Sequence, residues 1–500
     1  MGSHRRIAFS ELLRSAGIPC VSLGDSNAWI EGLADDHRRV KPGFLFVARI
    51  GSVADGAAFA SDAESRGAVA IVSDRPLPGA RVPVAIVPDA ADALRAVADA
   101  FHDRPTDTIR LVGITGTNGK TTTAYLVQSI LEAQGCPAGL IGTVTYRVGK
   151  EEHPSEATTP GILRLREIFS LMRDAGCRSC AMELSSHGLA QGRHRGLPLS
   201  AGVFTNLAQD HLDYHKTIDD YRRAKRILFE SLASTSAAVL NARDPVSEEY
   251  ARSTRARVVR FGLGIPADVT GRILEEGVSG MVVGAVDCEG EARLESPLVG
   301  RYNAENLLAA AAAARAIGIS WRAIEAGVRA VACVPGRLEP VDEGQPFRVL
   351  VDYAHTEDGI RKVLEALRPI TQGRLRILFG CGGDRDRTKR PRMGRAAAEG
   401  ADEVFLTSDN PRSEDPDAIL DEVLAGGPFA VPFRRIPDRR IAIRAAVRAA
   451  RPGDTLILAG KGHERVQIVG NASLPFDDRE EARAALREAL GSCAAARGAA

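Results

Sequence analysis

Short apolar runs alternate with amphipathic stretches along the whole chain. Near the N-terminus, short apolar runs at 44–48, 68–72 and 84–87 predict strands, and apolar residues at helical spacing predict helices over 57–66 and 90–102. Strands that alternate with helices are typical of α/β domains whose sheets are mainly parallel. The pattern therefore predicts a small α/β domain at the start of the chain.

The same alternation continues in two further regions. A breaker at Arg104-Pro105 and the turn Val334-Pro335-Gly336 indicate boundaries between them. We predict domains over 1–104, 105–335 and 336–492, with a disordered tail over 493–500. The region 267–298 has the pattern of strands and turns, as in a β insertion. Further strands are predicted at 179–183, 202–205, 237–240, 348–352, 375–379, 403–407 and 455–458, and further helices at 162–175, 218–232, 303–317, 358–368, 392–399, 416–424 and 439–450.

Composition and charge narrow the class of protein. The chain has 500 residues, 44% of them hydrophobic and 26% charged, and its net charge of +1 gives no reason to expect a nucleic-acid partner. No apolar run reaches the ~18 residues of a membrane-spanning helix, and the N-terminus lacks a secretory signal pattern. Cys177 and Cys180 form a lone CxxC, which is typical of reduced thiols. We therefore expect a cytoplasmic protein with no membrane partner.

The most informative segment is a glycine-rich turn between a predicted strand and a predicted helix. It reads Gly116-Thr117-Asn118-Gly119-Lys120-Thr121-Thr122, and the helix extends from Lys120 to about residue 135. Backbone N–H groups in such a loop bind phosphate oxygens, the lysine reaches the β- and γ-phosphates, and Thr121 or Thr122 can hold Mg²⁺. Ile114 replaces the usual first glycine, so an ordinary strand-to-helix turn is the alternative.

Polar residues also follow the next predicted strands. Glu183 ends one strand and, in a phosphate-loop domain, is placed to bind Mg²⁺; otherwise it is a carboxylate that starts a helix. His211 belongs to a loop with two histidines and two aspartates, which fits either a metal site or a loop of capping aspartates. Lys225, by contrast, has the pattern of a solvent-exposed lysine on an amphipathic helix.

Strand ends near the C-terminus carry a third group of polar residues. Asp352 and His355 close one strand and suit a sugar hydroxyl and a base or phosphate, although capping of the strand end explains Asp352 as well. Charged loops follow later strands at 381–391, 409–412 and 460–464. Such strand ends gather at one edge of a parallel sheet, and together these loops supply guanidinium and carboxylate groups for a zwitterionic amino acid. Each loop alone is also compatible with a solvated turn.

Taken in order, these segments resemble the Mur ligase family over about residues 22 to 490. The resemblance implies an N-terminal α/β domain that binds UDP, a central phosphate-loop ATPase domain with a parallel sheet, and a C-terminal Rossmann-like α/β domain that receives the amino acid. The matching stretches are GTNGKTTT at 116–123, ATTP at 157–160, MELSSHGL at 182–189, FTNLAQDHLDYH at 204–215, NARDP at 241–245, YNAENLLAA at 302–310, PGRLE at 335–339, VDYAHT at 351–356, GCGGDRDRTKRP at 380–391, SDNPR at 408–412 and GKGHE at 460–464.

The resemblance also implies a reaction. An ATP-dependent amide ligase of this kind adds meso-diaminopimelate to UDP-N-acetylmuramoyl-L-alanyl-D-glutamate in peptidoglycan precursor synthesis. The D-glutamate γ-carboxylate attacks the γ-phosphorus of ATP, and the amine then attacks the acyl phosphate. The implied cofactors are ATP, Mg²⁺ and a CO2-derived carbamate on Lys225, which reverses the interpretation of Lys225 as a solvated lysine. We expect a monomer.

Individual roles follow by position in the matching motifs. Arg412 decides the choice of diaminopimelate, because its guanidinium can pair with the second carboxylate that L-lysine lacks, and family members that add L-lysine usually lack this arginine. The resemblance assigns catalysis to Lys120, Glu183, His211 and Lys225; metal binding to Thr121, Glu183, His211 and Lys225; nucleotide binding to Gly116, Thr117, Asn118, Gly119, Lys120, Thr121, Thr122, Asn303, Asn306, Arg337, Asp352 and His355; binding of the UDP-sugar dipeptide to Thr158, Thr159, Ser185, Gln191 and Arg193; and amino-acid binding to Arg385, Asp409, Asn410, Arg412, Gly460 and Glu464.

One departure and several alternatives accompany this prediction. His37 stands where the family usually has a serine near the UDP group, which affects the expected contacts of the N-terminal domain. The alternatives are a related ligase that uses L-lysine or another amino acid, the ligase that later adds D-alanyl-D-alanine, a folylpolyglutamate synthetase, and a nucleotide-binding relative without catalysis. The DNPR and GKGHE segments argue against the second and third, and Lys120, Glu183, His211 and Lys225 argue against the last.

Overall fold

The computed structural model describes residues 6–19, 21–23, 27–51 and 54–498. They form two compact units, Met1–Gly113 with Cys136–Ser200, and Ile114–Gly135 with Ala201–Ala500. Both units contain part of the chain between residues 105 and 335, so the three predicted domain ranges stay predictions. Among the described residues, no helix is both long and apolar enough to cross a membrane.

Strands and helices alternate through the described chain, as the hydrophobic pattern predicts. As far as the end of the first unit they are β1 Ile7–Ala8, α1 Phe9–Ser15, β2 Val21–Leu23, β3 Trp29–Ile30, β4 Gly32–Ala34, β5 Phe44–Ala48, α2 Ala60–Ser65, β6 Ala68–Ser73, β7 Val84–Ile86, α3 Ala90–Phe101, β8 Arg110–Thr115, α4 Lys120–Ala133, β9 Ala138–Ile141, β10 Thr145–Val148, β11 Glu151–Pro154, α5 Ile162–Asp174, β12 Ser179–Glu183, α6 Ser186–Ala190 and β13 Leu199–Phe204.

The remaining elements all belong to the second unit. They are α7 Leu212–His215, α8 Ile218–Glu230, β14 Ala237–Asn241, α9 Val246–Ser253, β15 Arg257–Leu263, β16 Val269–Gly277, β17 Gly280–Asp287, β18 Gly290–Ser296, α10 Arg301–Ala316, α11 Trp321–Ala330, β19 Glu339–Pro340, β20 Arg348–Asp352, α12 Glu357–Leu367, β21 Leu375–Phe379, α13 Arg390–Gly400, β22 Glu403–Leu406, α14 Pro416–Leu424, β23 Phe433–Arg435, α15 Arg439–Ala449, β24 Thr455–Ala459, β25 Val466–Val469, β26 Ala472–Pro475 and α16 Asp478–Gly498.

Mainly parallel sheets organise both units. One sheet of the first unit has the strand order β2-β7-β6-β5-β4, and its strands β4 to β7 are parallel. A second sheet contains the strand order β11-β10-β9-β12-β8. In the second unit, β13, β14, β15 and β16 are parallel, and β17 and β18 continue the sheet antiparallel. The region 267–298, predicted to be a β insertion, therefore extends the edge of the central sheet.

The C-terminal sheet has the order β19-β20-β24-β21-β22-β23 and is parallel except for β19. Helices cover both of its faces, so its central strands are largely buried on both sides. Along β24, Leu456 and Leu458 pack into one buried cluster, while Ile457 and Ala459 pack into another. All parallel strands of this sheet end at one edge, where the polar loops begin.

Most strand predictions agree closely with the structure, and the α/β fold class is confirmed. The predictions for 44–48, 179–183, 348–352 and 375–379 coincide with β5, β12, β20 and β21. The predicted tail at 493–500 overlaps α16, which ends at Gly498, and residues 499–500 lie outside the described residues. That tail stays a prediction.

Candidate active site

The phosphate loop joins β8 to α4 and needs glycine at two positions. Gly116 and Gly119 have φ of 150° and 84°, which side chains rarely adopt. A Cβ atom on Gly116 would lie 1.8 Å from Thr205 Oγ1, and one on Gly119 would lie 2.2 Å from Asn306 Oδ1. The loop is therefore pressed against two neighbouring segments, and it lies between a strand and a helix as the sequence predicts.

The segment after β13 holds this loop in place. Thr205 Oγ1 donates to Asn118 O at 2.6 Å, and Asn206 Oδ1 accepts from Asn118 N at 3.1 Å. Thr117 N donates to the backbone oxygen of Asn206 at 2.8 Å. We gave Thr205 and Asn206 no role from sequence, although their position directly after a strand of the same sheet was a usable signal.

Two lysines converge on one carbonyl of the loop. Lys120 Nζ donates to Gly116 O and to Thr117 O, each at 2.9 Å, and Lys225 Nζ donates to Gly116 O at 2.7 Å. Lys225 is only 1% exposed, so the interpretation as a solvated lysine is wrong, while its carbamylation stays a prediction. The signal was present in the sequence, because Lys225 lies on the apolar stripe of α8 with Tyr221, Ala224, Leu228 and Phe229.

The surroundings of Lys225 disfavour its charged form. Burial, followed by the positive charge of Lys120, lowers the pKa of Lys225 well below its usual range, and Asp210 opposes this only in part. The ammonium group lies 4.3 Å from the centroid of the Tyr221 ring. An amine held near another cation in this way is more readily neutral, and neutral amines are nucleophilic.

A cluster of ionisable groups lies beside this pair. Burial opposes ionisation of Asp210, but the charges of His355, His211 and Lys389 hold its pKa below its usual value. His211 has a left-handed backbone with φ of 55°, and its Nε2 lies 3.5 Å from Asp210 Oδ2. His355 Nδ1 lies 2.9 Å from Tyr353 O, and burial lowers the pKa of His355.

One cavity collects most of the predicted nucleotide-binding residues. Arg337 crosses it, with Nη2 donating to Thr121 Oγ1 at 3.2 Å and the guanidinium 4.9 Å from the centroid of the Tyr353 ring. Asn303 is not among the residues that line this cavity; its amide donates to Val299 O at 2.9 Å, and both residues line a different cavity. The lining includes Asn118, Gly119, Thr121, Thr122, Asn306, Arg337, Asp352 and His355.

Asp352 has a structural task in this cavity. Its two carboxylate oxygens accept from Leu338 N and Ala354 N, both at 2.8 Å. Burial raises the pKa of Asp352, and Arg337 and these N–H groups oppose that rise. The capping alternative therefore describes what the carboxylate does here, and its contact with nucleotide stays a prediction.

In the first unit, Glu183 is the centre of a hydrogen-bonded cluster. Its oxygens accept from Thr143 N at 2.9 Å and Thr143 Oγ1 at 3.0 Å, and Thr143 Oγ1 also lies 3.0 Å from Thr158 Oγ1. Thr159 Oγ1 donates to Glu183 O at 2.9 Å and accepts from Ser185 N at the same distance. Thr143 was missed from sequence because the strand before it, β9, was not predicted.

The other predicted dipeptide-binding residues join this cluster. Arg193 Nη1 donates to Thr159 O at 2.6 Å, and Arg193 Nη2 donates to Gln191 Oε1 at 2.6 Å. The side chain of Ser185 caps α6 by accepting from Gly188 N. Thr158, Thr159, Ser185, Gln191 and Arg193 thus form one polar surface around Glu183.

The predicted amino-acid pocket lies at the C-terminal sheet edge. Asn410 Nδ2 donates to Glu464 Oε2 at 2.9 Å, and Arg412 Nη1 donates to Gly383 O at 2.7 Å. A Cβ on Gly460, whose φ is 110°, would lie 2.9 Å from Asp409 Oδ2. The structure therefore brings Asp409, Asn410, Arg412, Gly460 and Glu464 to one place.

Charge and backbone strain are concentrated in these loops. Burial raises the pKa of Asp409, while Lys461 and Arg439 oppose the rise. Arg412 and Asp384 have left-handed backbones with φ of 53° and 52°, an uncommon state that surrounding contacts must enforce. Arg385 is exposed, and its Nη1 donates to Asp384 O at 2.9 Å.

His37, which departs from the usual motif, is held within its own unit. Its ring stacks on Phe59 with centroids 4.2 Å apart, and Nε2 lies 3.5 Å from Asp62 Oδ2. Asp36 accepts from the Arg38 guanidinium, and this contact lowers the pKa of Asp36 to about 2.

The predicted metal ligands offer mostly oxygen atoms. Glu183 supplies a carboxylate, Thr121 a hydroxyl and His211 an imidazole, and Mg²⁺ prefers oxygen ligands. The described residues contain no group of three or more His, Cys, Asp or Glu side chains that could hold a metal ion. Thr121, His211 and Lys225 all belong to the second unit, and a hydroxyl and an imidazole there, with oxygens from a bound phosphate, would fit Mg²⁺.

Comparisons with known proteins identify the family of this chain. Three descriptions match in order: "Mur ligase family, catalytic domain" over residues 30–102, "Mur ligase middle domain" over 114–314, and "Mur ligase, glutamate ligase domain" over 336–462. A protein of Geobacillus thermodenitrificans, named UDP-N-acetylmuramoyl-L-alanyl-D-glutamate–2,6-diaminopimelate ligase, is 46% identical over 92% of this chain and 96% of its own. The chain belongs to the Mur ligase family. The family predicted from sequence is therefore confirmed, and Mur ligases use ATP.

Two solved structures share the fold of this chain but differ in their sequence identity to it. A structure named for the same 2,6-diaminopimelate ligase is 32% identical to this Mur ligase, covers 97% of this chain and 99% of its own, and gives a TM-score of 0.68. The D-alanyl-D-alanyl ligase from Acinetobacter baumannii has a TM-score of 0.65 over 98% of this chain and 100% of its own, but only 17% identity. The second likeness shows a shared fold alone.

Proposed function

We propose that this Mur ligase joins meso-diaminopimelate to the D-glutamate γ-carboxylate of UDP-N-acetylmuramoyl-L-alanyl-D-glutamate, at the expense of ATP. One observation carries the proposal: a phosphate loop and a pocket built from Asp409, Asn410, Arg412 and Glu464 belong to the same compact unit. The relatives that are named as diaminopimelate ligases support the choice of amino acid.

The phosphate loop prepares the first step. A carboxylate is a poor acyl donor, and it must approach an equally negative triphosphate, so cations are needed where the two meet. Lys120 begins α4 and supplies a cation at the loop, and the N–H groups at the start of α4 face phosphate. Arg337 adds a guanidinium charge in the cavity that Gly119 and Thr121 line. Mg²⁺, held within this unit by Thr121 and His211, would neutralise the remaining phosphate charge.

Carbamylation explains a buried lysine at this position. Because burial and Lys120 lower the pKa of Lys225, its neutral amine is available to attack CO2. The amine loses a proton as the C–N bond forms, and the product is a carbamate anion. This change converts a second cation beside Gly116 into an oxygen ligand for Mg²⁺.

The amino acid is recognised through complementary charges. Arg412 offers its guanidinium to a carboxylate of the diacid, while Asp409 and Glu464 offer carboxylates to an ammonium group. L-Lysine lacks the second carboxylate, so Arg412 favours diaminopimelate. The reacting amine attacks the acyl carbon, phosphate leaves, and one proton is released.

The UDP-sugar dipeptide is assigned to the first unit. The polar surface of Thr158, Thr159, Ser185, Gln191 and Arg193 around Glu183 supports this assignment, because it offers hydroxyl, amide and guanidinium groups to the sugar peptide. A cytoplasmic monomer is part of the same proposal.

A screen of amino acids tests the proposal. The protein is incubated with ATP, Mg²⁺ and the UDP-sugar dipeptide, and release of phosphate is followed with each candidate amino acid. We expect release with meso-diaminopimelate, little with L-lysine, and none without the dipeptide. Equal release with L-lysine contradicts the specificity, and no release with any amino acid contradicts the ligase activity.

A further inference from the structure

A second buried lysine lies at the amino-acid pocket, and no role was assigned to it from sequence. Lys461 follows β24 within the GKGHE segment, and its side chain has no solvent exposure. Its Nζ lies 3.1 Å from Asn410 Oδ1, 3.1 Å from Glu464 Oε2 and 2.7 Å from Val466 O. Asp409 Oδ1 lies further away, at 3.7 Å.

These contacts use all three protons of the ammonium group. A lysine has three donors and no acceptor, and here each donor has a partner. Lys461 therefore has no proton left to offer a substrate, and its burial keeps it away from one. Its partners include two residues predicted to bind the amino acid, so it acts on the pocket through them.

The hairpin of β25 and β26 acts on the same loop. Ile468 N donates to Asn410 Oδ1 at 3.0 Å, and Gln467 Nε2 donates to Asp409 O at 2.7 Å. Arg412 N donates to Ile468 O at 3.1 Å, and Gly470 N donates to Arg412 O at 2.7 Å. This ladder holds Arg412 in its left-handed backbone state.

Lys461 connects that hairpin to the other two parts of the pocket. One of its protons goes to Val466 at the start of the hairpin, one to the 409–412 loop and one to Glu464. We propose that Lys461 is a positioning residue that fixes Asn410, Glu464 and, through the hairpin, Arg412 in the geometry that selects the diamino diacid. The inference rests on the proposed function, whose amino-acid pocket it explains.

The test compares two variants with a matched control. Lys461→Met keeps the length of the side chain but removes the charge and all three donors. Gln467→Met removes the hydrogen bond from Gln467 Nε2 to Asp409 O, at a partly exposed position of β25. Arg376→Met is the control, because Arg376 is a buried cation of the same sheet paired with Glu403 and Asp454 at the opposite edge. Melting temperature, KM for each substrate and kcat are measured for every variant.

For Lys461→Met we expect KM for meso-diaminopimelate to rise about ten- to hundredfold, the cost of a small misplacement of binding groups. KM for ATP should stay unchanged, and the preference over L-lysine should fall. Gln467→Met should change the same quantities less, and Arg376→Met should lower only the melting temperature. The double variant with Glu464→Gln should lose less than the sum of the single losses, because the two residues act as one unit.

Different results would overturn the two claims separately. If the wild type makes no product with any diamino acid, the proposed function fails. If the wild type is active and neither Lys461→Met nor Gln467→Met changes KM for the amino acid more than Arg376→Met does, the positioning role of Lys461 is refuted. Should Lys461→Met fail to fold, Gln467→Met decides by the same comparison.

Discussion

The phosphate loop and the amino-acid pocket belong to one unit but are built differently. In the loop, Lys120 and Lys225 donate to backbone oxygens of Gly116 and Thr117, and two glycines set the path of the chain. In the pocket, side chains of separate loops contact one another, as the bond from Asn410 to Glu464 illustrates. Backbone groups fix where charge lies in the phosphate loop whatever the side chains are. In the amino-acid pocket, substitution of a side chain can change which ligand binds.

This difference has a functional consequence. A change at the phosphate loop should stop the reaction with every amino acid, because phosphate activation precedes the choice of amine. A change in the pocket should leave activation possible and alter which amine is accepted. The predictions below test this division, beginning with the largest expected effect.

Replacing Lys120 should have the largest effect. Lys120→Ala removes the ammonium group from the phosphate loop, and we expect kcat to fall by about 10²- to 10³-fold or more, with every amino acid. Lys150→Ala, at an exposed lysine of the first unit, is the control and should keep full activity. A Lys120→Ala enzyme that is slowed with one amino acid only would contradict the division between the two sites.

Replacing Lys225 should have a smaller but related effect. Lys225→Met cannot form a carbamate, and we expect kcat to fall by about 10²-fold, with Lys216→Met as an exposed control. Because the pKa of Lys225 is lowered, its neutral amine persists to lower pH than that of a solvated lysine. Wild-type activity should fall in CO2-free buffer and return with bicarbonate, and ¹³C-bicarbonate should give a carbamate signal by NMR that Lys225→Met lacks.

The pocket should control preference rather than activation. Arg412→Ala removes the partner of one carboxylate, and a charge-assisted hydrogen bond of about 1.5–3 kcal/mol corresponds to roughly ten- to hundredfold in kcat/KM for meso-diaminopimelate. The rate with L-lysine should change little. Arg435→Ala, at an exposed arginine of the same sheet, is the control. An unchanged preference in Arg412→Ala would refute the role of this residue.

The smallest effect concerns the loop that carries Arg385. Two bonds from the buried Arg390 to Glu414 lower the pKa of Glu414 from its usual 4.5 to about 2. The resulting stabilisation is present above pH 4.5 and is lost as the pH falls toward 2. Glu414→Gln should lower the melting temperature by a few degrees at pH 7, and the difference from wild type should shrink below pH 4.5; a constant difference would contradict this account.

Features that depend on neighbouring residues in the chain could be predicted from the sequence. Strands such as 348–352 are buried on both faces, so each is a continuous apolar run with a clear end. The phosphate loop carries its own signal in a few adjacent residues. Lys225 was wrongly predicted to be exposed because the prediction relied on its charge. Its spacing along the helix places it on the apolar stripe.

Other features depend on which segments meet in space. Lys461 is close in sequence to its partners Glu464 and Val466, but its third partner, Asn410, is 51 residues away, and the sequence alone does not bring the two together. The hairpin β25–β26 was not predicted, since its residues are largely exposed and lack an apolar face. Thr143 was missed for the related reason that β9 went unrecognised. The predicted roles of the site residues stay predictions.

The central claim is that γ-phosphate is transferred to the substrate carboxylate before the amide bond forms. The most direct measurement labels the D-glutamate γ-carboxylate of the UDP-sugar dipeptide with ¹⁸O and analyses the phosphate released in the presence of ATP, Mg²⁺ and meso-diaminopimelate by mass spectrometry. The account predicts one ¹⁸O atom in each phosphate released, together with the tripeptide product. Unlabelled phosphate, or label in AMP instead, would contradict it.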